Sequence, residues 1–368
     1  MNRVRNIIGH QHTGSNRQQV NRDQHETGDD LDDQSTMFER QSEDLEDSVT
    51  LNTAVSGSVT IGDFQRLGFV NRCPSFDAER TMPLASVLLT KGFFCFPSEL
   101  SLRTFLDNKR RLDALDSING LGIPLFHAVS AGVVKSIFNR HAPIMRIYRY
   151  VLIDSNREKP PQNGELISQD GFKMLFKCLF CSVYQEIVCN YSRVEHKFVF
   201  NATRENETVP ETLVMASHVQ SRGSDTRLMG LNLRWYGTTG FASPFGSGSF
   251  KLLVLDDGMP SRMDCRTLDE FDRESRSYHG RMSGRLPTWA TYSDQCSSVF
   301  PRKRTLRLAE FKIGELNRVN GVCSSGIFDI PKETLALTCM CLVLHDFETR
   351  KDKRGGTAMA LPSVPFLL

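Results

Sequence analysis

A chain of 368 residues is long enough to bury a sizeable core, as one large domain or two modest ones. Its 45 Lys and Arg nearly balance 43 Asp and Glu, leaving a formal charge of +2. That excludes a global field that would draw the whole molecule to nucleic acid or an anionic membrane, so any such attraction must come from local clusters.

Residues 1–57 are polar. Arginines (Arg3, Arg5, Arg17, Arg22) lead into acidic runs around Asp29–Asp33 and Glu43–Asp47. Too little apolar surface is available there to offset the entropy of ordering, so a disordered acidic tail is expected. With no apolar h-region in the first thirty residues, a secretory leader is not expected. The ten cysteines are then read as thiols and not as a disulfide framework.

A single β-rich domain is expected over 58–350. Met82–Phe96 carries strand-like runs that end at Pro97. Ser98 is placed to cap a helix beginning at Glu99, with Leu102, Phe105 and Leu106 at helical spacing and Lys109-Arg110-Arg111 beyond its end. Gly120–Pro124 is a turn, and Leu125–Val134 admits helix or strand. Pro143–Ile153 alternates as a strand, with Met145, Ile147, Arg149 and Val151 on one side and Arg146, Tyr148 and Tyr150 on the other. Phe172–Tyr191 admits one buried helix or a pair of strands, and Val194–Phe200 alternates again.

The clearest local pattern is Leu231–Gly258. One apolar-alternating run contains Trp235, a Gly/Ser/Pro turn follows, and a second run covers Phe250–Leu255. This reads as a β-hairpin or a pair of neighbouring strands, with Trp235 as a core anchor. The charge-rich stretch 259–305 reads as a mobile insertion. Leu306–Ile313 resumes a folded pattern, and Pro331-Lys332-Glu333-Thr334 suits the start of a final helix over Leu335–Phe347. Residues 351–368 are expected as a tail. The longest uncharged apolar run, Leu335–Leu344, is about half a membrane span, so no transmembrane segment is expected.

Candidate chemistry is sparse. Cys178-x-x-Cys181 lacks a second ligand pair of comparable spacing and lies among Leu and Phe, as buried structural thiols do. Gly246-Ser247-Gly248-Ser249 precedes a strand, whereas a phosphate-cradling loop needs a helix N-terminus. Asp256-Asp257 precedes Gly258 and suits a turn. No catalytic histidine motif or nucleophile elbow occurs in the ordered part. Two basic clusters remain as candidate anion-binding residues: Arg302, Lys303, Arg304 and Arg307, and Arg350, Lys351, Lys353 and Arg354. Tyr148, Tyr150 and Tyr236 interleave with Arg146, Arg149 and Arg234, a combination that suits stacking on a nucleic acid.

The sequence thus reads as an α+β protein, predominantly an antiparallel β-sheet or barrel-like domain with a few helices. It leans away from an enzyme and from any cofactor or metal. The favoured role is an intracellular (cytoplasmic or nuclear) interaction or adaptor protein with a protein partner. The alternatives are a binder of nucleic acid or anionic lipid, and an enzyme whose site is assembled from distant residues. No motif is specific enough to carry a family resemblance.

Overall fold

The computed structural model describes residues 76–108, 120–131, 142–188, 193–204, 212–218, 223–237, 248–256, 258–265, 267–277, 287–298, 300–316 and 323–355, with 276–277 and 351–355 by backbone alone. The expected acidic tail, the Lys109–Arg111 cluster and Asp257 lie outside the described residues. The elements in chain order are β1 (Ala78–Val87), β2 (Phe93–Cys95), α1 (Glu99–Asp107), β3 (Phe126–Ser130), β4 (Met145–Asp154), β5 (Gly164–Asp170), β6 (Lys173–Val188) and β7 (Arg193–Phe200). They continue with β8 (Thr212–His218), β9 (Gly223–Leu228), β10 (Leu231–Tyr236), β11 (Ser249–Val254), α2 (Leu268–Ser277), β12 (Thr288–Ser293), β13 (Thr305–Glu315) and α3 (Lys332–Gly355).

The strands pair antiparallel in one sheet. β1 joins β13, and β4 pairs with β6 from Met145↔Val183 to Asp154↔Lys173, which closes a barrel of 12 strands. Outside that ring, β5 adds to the first half of β6. The protein is therefore mostly antiparallel β, with three helices among the described residues, as the sequence reading expects.

Two-residue alternation decides which side chains enter the barrel. On β10, Leu231, Leu233 and Trp235 point inward between Asn232 and Arg234; on β11, Phe250, Leu252 and Val254 do the same. The two strands pair with Trp235 opposite Leu252, so the expected hairpin is present, and Trp235 is fully buried against Phe250 and Phe311. Of Phe172–Tyr191, the stretch Lys173–Val188 forms the long strand β6. A bulge there sets an extra residue opposite Ile147 and Tyr148, so Phe180 and Cys181 both face the core. The same slip buries Cys178, which shares a smaller apolar cluster with Val151, Ile153 and Phe176.

A ring of this many strands is too wide for its own side chains to fill. The space is occupied by α3. Thr338 meets Met82 of β1, His345 meets Phe93 of β2 and Tyr292 of β12, and Phe347 meets His196 of β7, so the helix touches staves on several sides. Every residue from Thr334 to His345 is buried. A helix apolar around its whole circumference can be satisfied in water only in such a setting. Its backbone continues to Gly355, through the start of the stretch that reads as a tail.

Outside the barrel, α1 covers a second apolar cluster. Leu102 and Phe105 pack with Ala85, Phe94, Tyr150, Leu152 and Leu175 from the outward faces of β1, β2, β4 and β6. Ser98 caps this helix as expected: its hydroxyl accepts the Ser101 N–H at 3.1 Å.

The charge-rich stretch 259–305 contributes two structural elements. β12 is a stave with Trp289, Ala290 and Tyr292 buried, and α2 is tied to the outer wall. Composition hides this because the buried charges there are paired.

Candidate functional site at the loop end of the barrel

Antiparallel connectivity brings the end of β1, the start of β2 and the start of β13 to one rim of the barrel. Arg302 and Thr305 exchange backbone hydrogen bonds of 2.8 Å in both directions, closing a two-residue turn over Lys303 and Arg304. Lys303 (φ 46°) and Arg304 (φ 60°) both take left-handed backbone. Such turns match the twist of a hairpin but usually recruit Asn and Gly. Here they hold consecutive cations outward; Arg302, Lys303 and Arg304 are all exposed. The neighbouring turn after β1 is hydrogen-bonded to this one, the Leu88 N–H donating to the Arg304 carbonyl at 2.9 Å. Leu89 in that turn is also left-handed (φ 71°). Lys303 reaches Asp107 at the end of α1 (2.8 Å) in a largely exposed ion pair.

The other members of the basic clusters divide. Arg307 lies on the wall, where its guanidinium meets Glu99 at 2.9 Å and Glu310 at 2.8 Å. Arg350 pairs with Asp346 one helical turn back, at 2.8 Å. Lys351, Lys353 and Arg354 belong to the last turn of α3, with side chains outside the described residues. From Thr338 at Met82 to His345 at Phe93, the backbone of α3 thus runs toward the end of the barrel that carries Arg302–Arg304.

The expected aromatic–arginine face is broken up. Arg149 points inward over Phe180 and donates to Thr203 at 3.4 Å. Tyr150 is buried in the cluster under α1, and Lys177 lies over the Tyr148 ring. Arg234 is held by a carboxylate. The physical reason is that alternation assigns these residues to different faces, and one of those faces is covered by other elements.

That carboxylate, Asp225 on β9, is the centre of an ionic cluster that sequence reasoning missed. Arg234 grips it with two parallel bonds of 2.8 Å, and Arg262 adds a side-chain bond of 3.0 Å and a backbone N–H bond of 2.8 Å. Phe271 of α2 covers both guanidinium groups, 4.3 Å from Arg262 and 5.2 Å from Arg234. Asp225 has no exposed surface. Burial works to raise its carboxyl pKa, but the bonds and charges of Arg234 and Arg262 together outweigh it and hold the group below its ordinary value. The sequence signal was a polar run, Gly223-Ser-Asp-Thr-Arg, leading into an Arg-containing strand. The cluster fastens the 260–277 segment to the outer wall, and nothing in its geometry leaves an oxygen for a substrate.

The remaining motifs resolve structurally. Burial drives the Cys339 and Cys341 thiols far above their ordinary pKa, which leaves them unreactive. Cys178 and Cys181 are buried, and no His/Cys/Asp/Glu group suited to a metal occurs among the described residues. The Asp256 backbone carbonyl accepts the Met259 N–H at 3.1 Å in a turn, and strand β11, not a helix, follows Gly248. His127 stacks on Phe94 and bonds the Lys91 carbonyl at 2.7 Å.

His196 gives a pH dependence. Its ring lies inside the barrel, edge-on to Phe347, and burial pushes its pKa down to about 4 from 6.5. It is neutral in the fold, whereas the unfolded chain takes up its proton below about pH 6.5. Its contribution is fully present above that pH and is lost as pH falls from about 6.5 to 4, amounting to roughly 3 kcal/mol at the acid end. Urea unfolding midpoints between pH 7 and 4.5 should fall less steeply in His196→Gln than in the parent.

Residues 77–353 match a protein-family model described as DIA1, a span that runs from just before β1 into the last turn of α3. An uncharacterized protein of Saccharomyces cerevisiae is 47% identical over 348 residues, covering 88% of this chain and 85% of that protein. The protein named DIA1 from the same yeast is 26% identical over 306 residues, covering 78% and 84% respectively. No solved structure matches the chain significantly.

Proposed function

The chain belongs to the DIA1 family, and from that premise we propose that it is a non-enzymatic interaction protein, an adaptor that works through the outer wall and loop end of its barrel. The observation that carries this reading is the filling of the lumen. Wide β-barrels that act on small molecules hold them inside. Here that volume belongs to α3, whose Leu337, Cys339, Met340, Cys341, Leu342 and Val343 have no exposed surface. The titratable side chains that enter it are committed to packing, as with His345, bonded to the Tyr292 hydroxyl at 2.6 Å.

What this arrangement leaves for recognition is the surface. The exposed turn of Arg302, Lys303 and Arg304 favours partners carrying negative charge, whether acidic protein, nucleic acid or anionic lipid. The intracellular location that goes with this role, cytoplasm or nucleus, is supported by buried free thiols at Cys95, Cys181, Cys339 and Cys341. Among the described residues no helix is long and apolar enough to cross a membrane.

Native mass spectrometry of the full chain purified without denaturation tests the reading. The expected spectrum carries the mass of the polypeptide with no small molecule. A stoichiometric small-molecule adduct released on denaturation would overturn it, in favour of an enzyme or carrier with a site assembled from distant residues.

A further inference from the structure

We infer that the rim carrying Arg302–Arg304 docks on an anionic membrane surface, with Leu88, Leu89 and Phe300 entering the lipid. The inference rests on the interaction-protein reading and names its partner. Three large apolar side chains stand in solvent at this rim: Leu89 is 95% exposed, Phe300 79% and Leu88 60%. Two belong to the turn after β1. The third precedes the 302–305 turn by two residues, and the Leu88–Arg304 hydrogen bond holds the turns side by side. Ile187 near the end of β6 and Tyr236 at the end of β10 are half-exposed at the same end of the barrel.

The fold does not need these groups where they are. A left-handed Leu89 is a costly conformation for a residue with a Cβ, and its side chain gains no packing from it. Apolar side chains projecting beside exposed cations are the arrangement that a lipid interface stabilises: headgroups attract the charges, and the boundary below takes up the apolar atoms. Lys91, exposed in the turn with Leu88 and Leu89, adds a fourth cation. Asp107, an acidic neighbour of the turn, is already paired with Lys303. A nucleic acid would satisfy the cations but offer phosphate and sugar to Leu88 and Leu89, so the aliphatic pair favours lipid.

The full chain would be mixed with vesicles of phosphatidylcholine alone and with vesicles containing ~30% phosphatidylserine, and the bound fraction read by sedimentation. Binding to the anionic vesicles should be at least ~10-fold stronger and should weaken with salt. Two triple variants, Arg302→Gln with Lys303→Gln and Arg304→Gln, and Leu88→Ser with Leu89→Ser and Phe300→Ser, should each lower it at least ~10-fold. All six positions are exposed, so circular dichroism should show both variants folded. The inference is overturned by no binding, by equal binding to both vesicles, or by an apolar variant that binds like the parent. It is also overturned if a single-stranded oligonucleotide binds better than the anionic vesicles and the apolar variant leaves that binding unchanged. Any of these results alongside a ligand-free native mass removes the membrane partner and leaves the adaptor reading standing; a small-molecule adduct removes the adaptor reading itself.

Discussion

Leu337→Asp should abolish cooperative folding. Leu337 lies on α3 inside the barrel with no exposed surface, between Ala336 and Thr338, which are also buried. A carboxylate there would lose its hydration, and the effective penalty for an unpaired buried ion is several kcal/mol. Whole domains are stable by only about 5–15 kcal/mol, so one such charge consumes much of the margin. Neutralisation by proton uptake lowers the cost but leaves a polar group among apolar atoms. The expected product has lost near-ultraviolet circular dichroism and shows no sharp thermal transition. Leu337→Ala should be milder, at about 2–5 kcal/mol, and should still melt cooperatively. Lys332→Asp, at the exposed first residue of the same helix, should fold normally. A folded, cooperatively melting Leu337→Asp protein would mean that α3 does not fill the barrel.

The second large effect concerns Asp225. Asp225→Ala removes the acceptor of buried Arg262 and partly buried Arg234 and should cost about 3–5 kcal/mol, because the cations left behind lose their partner without regaining full hydration. Its magnitude comes from what remains. Replacing all three groups together, with Asp225→Leu, Arg234→Met and Arg262→Met, should recover most of the loss. Arg227→Ala, which breaks an exposed pair with Asp264, should change stability by less than about 1 kcal/mol. Urea midpoints of these three variants and the parent decide the matter. If Asp225→Ala and Arg227→Ala were equal, the cluster would not be what fastens the 260–277 segment.

These two sites also mark where sequence reasoning stopped. The β10–β11 hairpin, the Ser98 cap and the start of α3 were legible because each depends on residues a few positions apart. β9 was not, since its Ser224, Asp225 and Thr226 are polar yet buried, and they are acceptable only through partners up to 37 residues away. The 259–305 stretch failed for the same reason: charge content reports solvent exposure only when the charges are unpaired. Closure of β4 on β6 and the threading of α3 are long-range facts that no local window contains. α3 did carry one readable sign, an apolar run without a polar face, which indicates burial on all sides. At the rim, Arg302–Arg304 stood out by composition, whereas Leu88 and Leu89 are joined to them only by the pairing of β1 with β13. Arg307 was grouped with that cluster by proximity in sequence, and entry into β13 carries it down the wall to Glu99 and Glu310.

The helix that fills the barrel is encoded after the last of its staves. During synthesis, β1 to β13 emerge with no core to close around, and the partner of β1 arrives more than two hundred residues later, as in Met82↔Phe311. Sheets built from such distant pairings form slowly and expose unpaired edges while they wait. The barrel therefore gains its filling only once α3 has been synthesised. A stop codon just before Lys332 would remove a small fraction of the mass and leave an unfilled ring of strands, whereas the same length lost from within the first 57 residues would leave every stave and the helix in place.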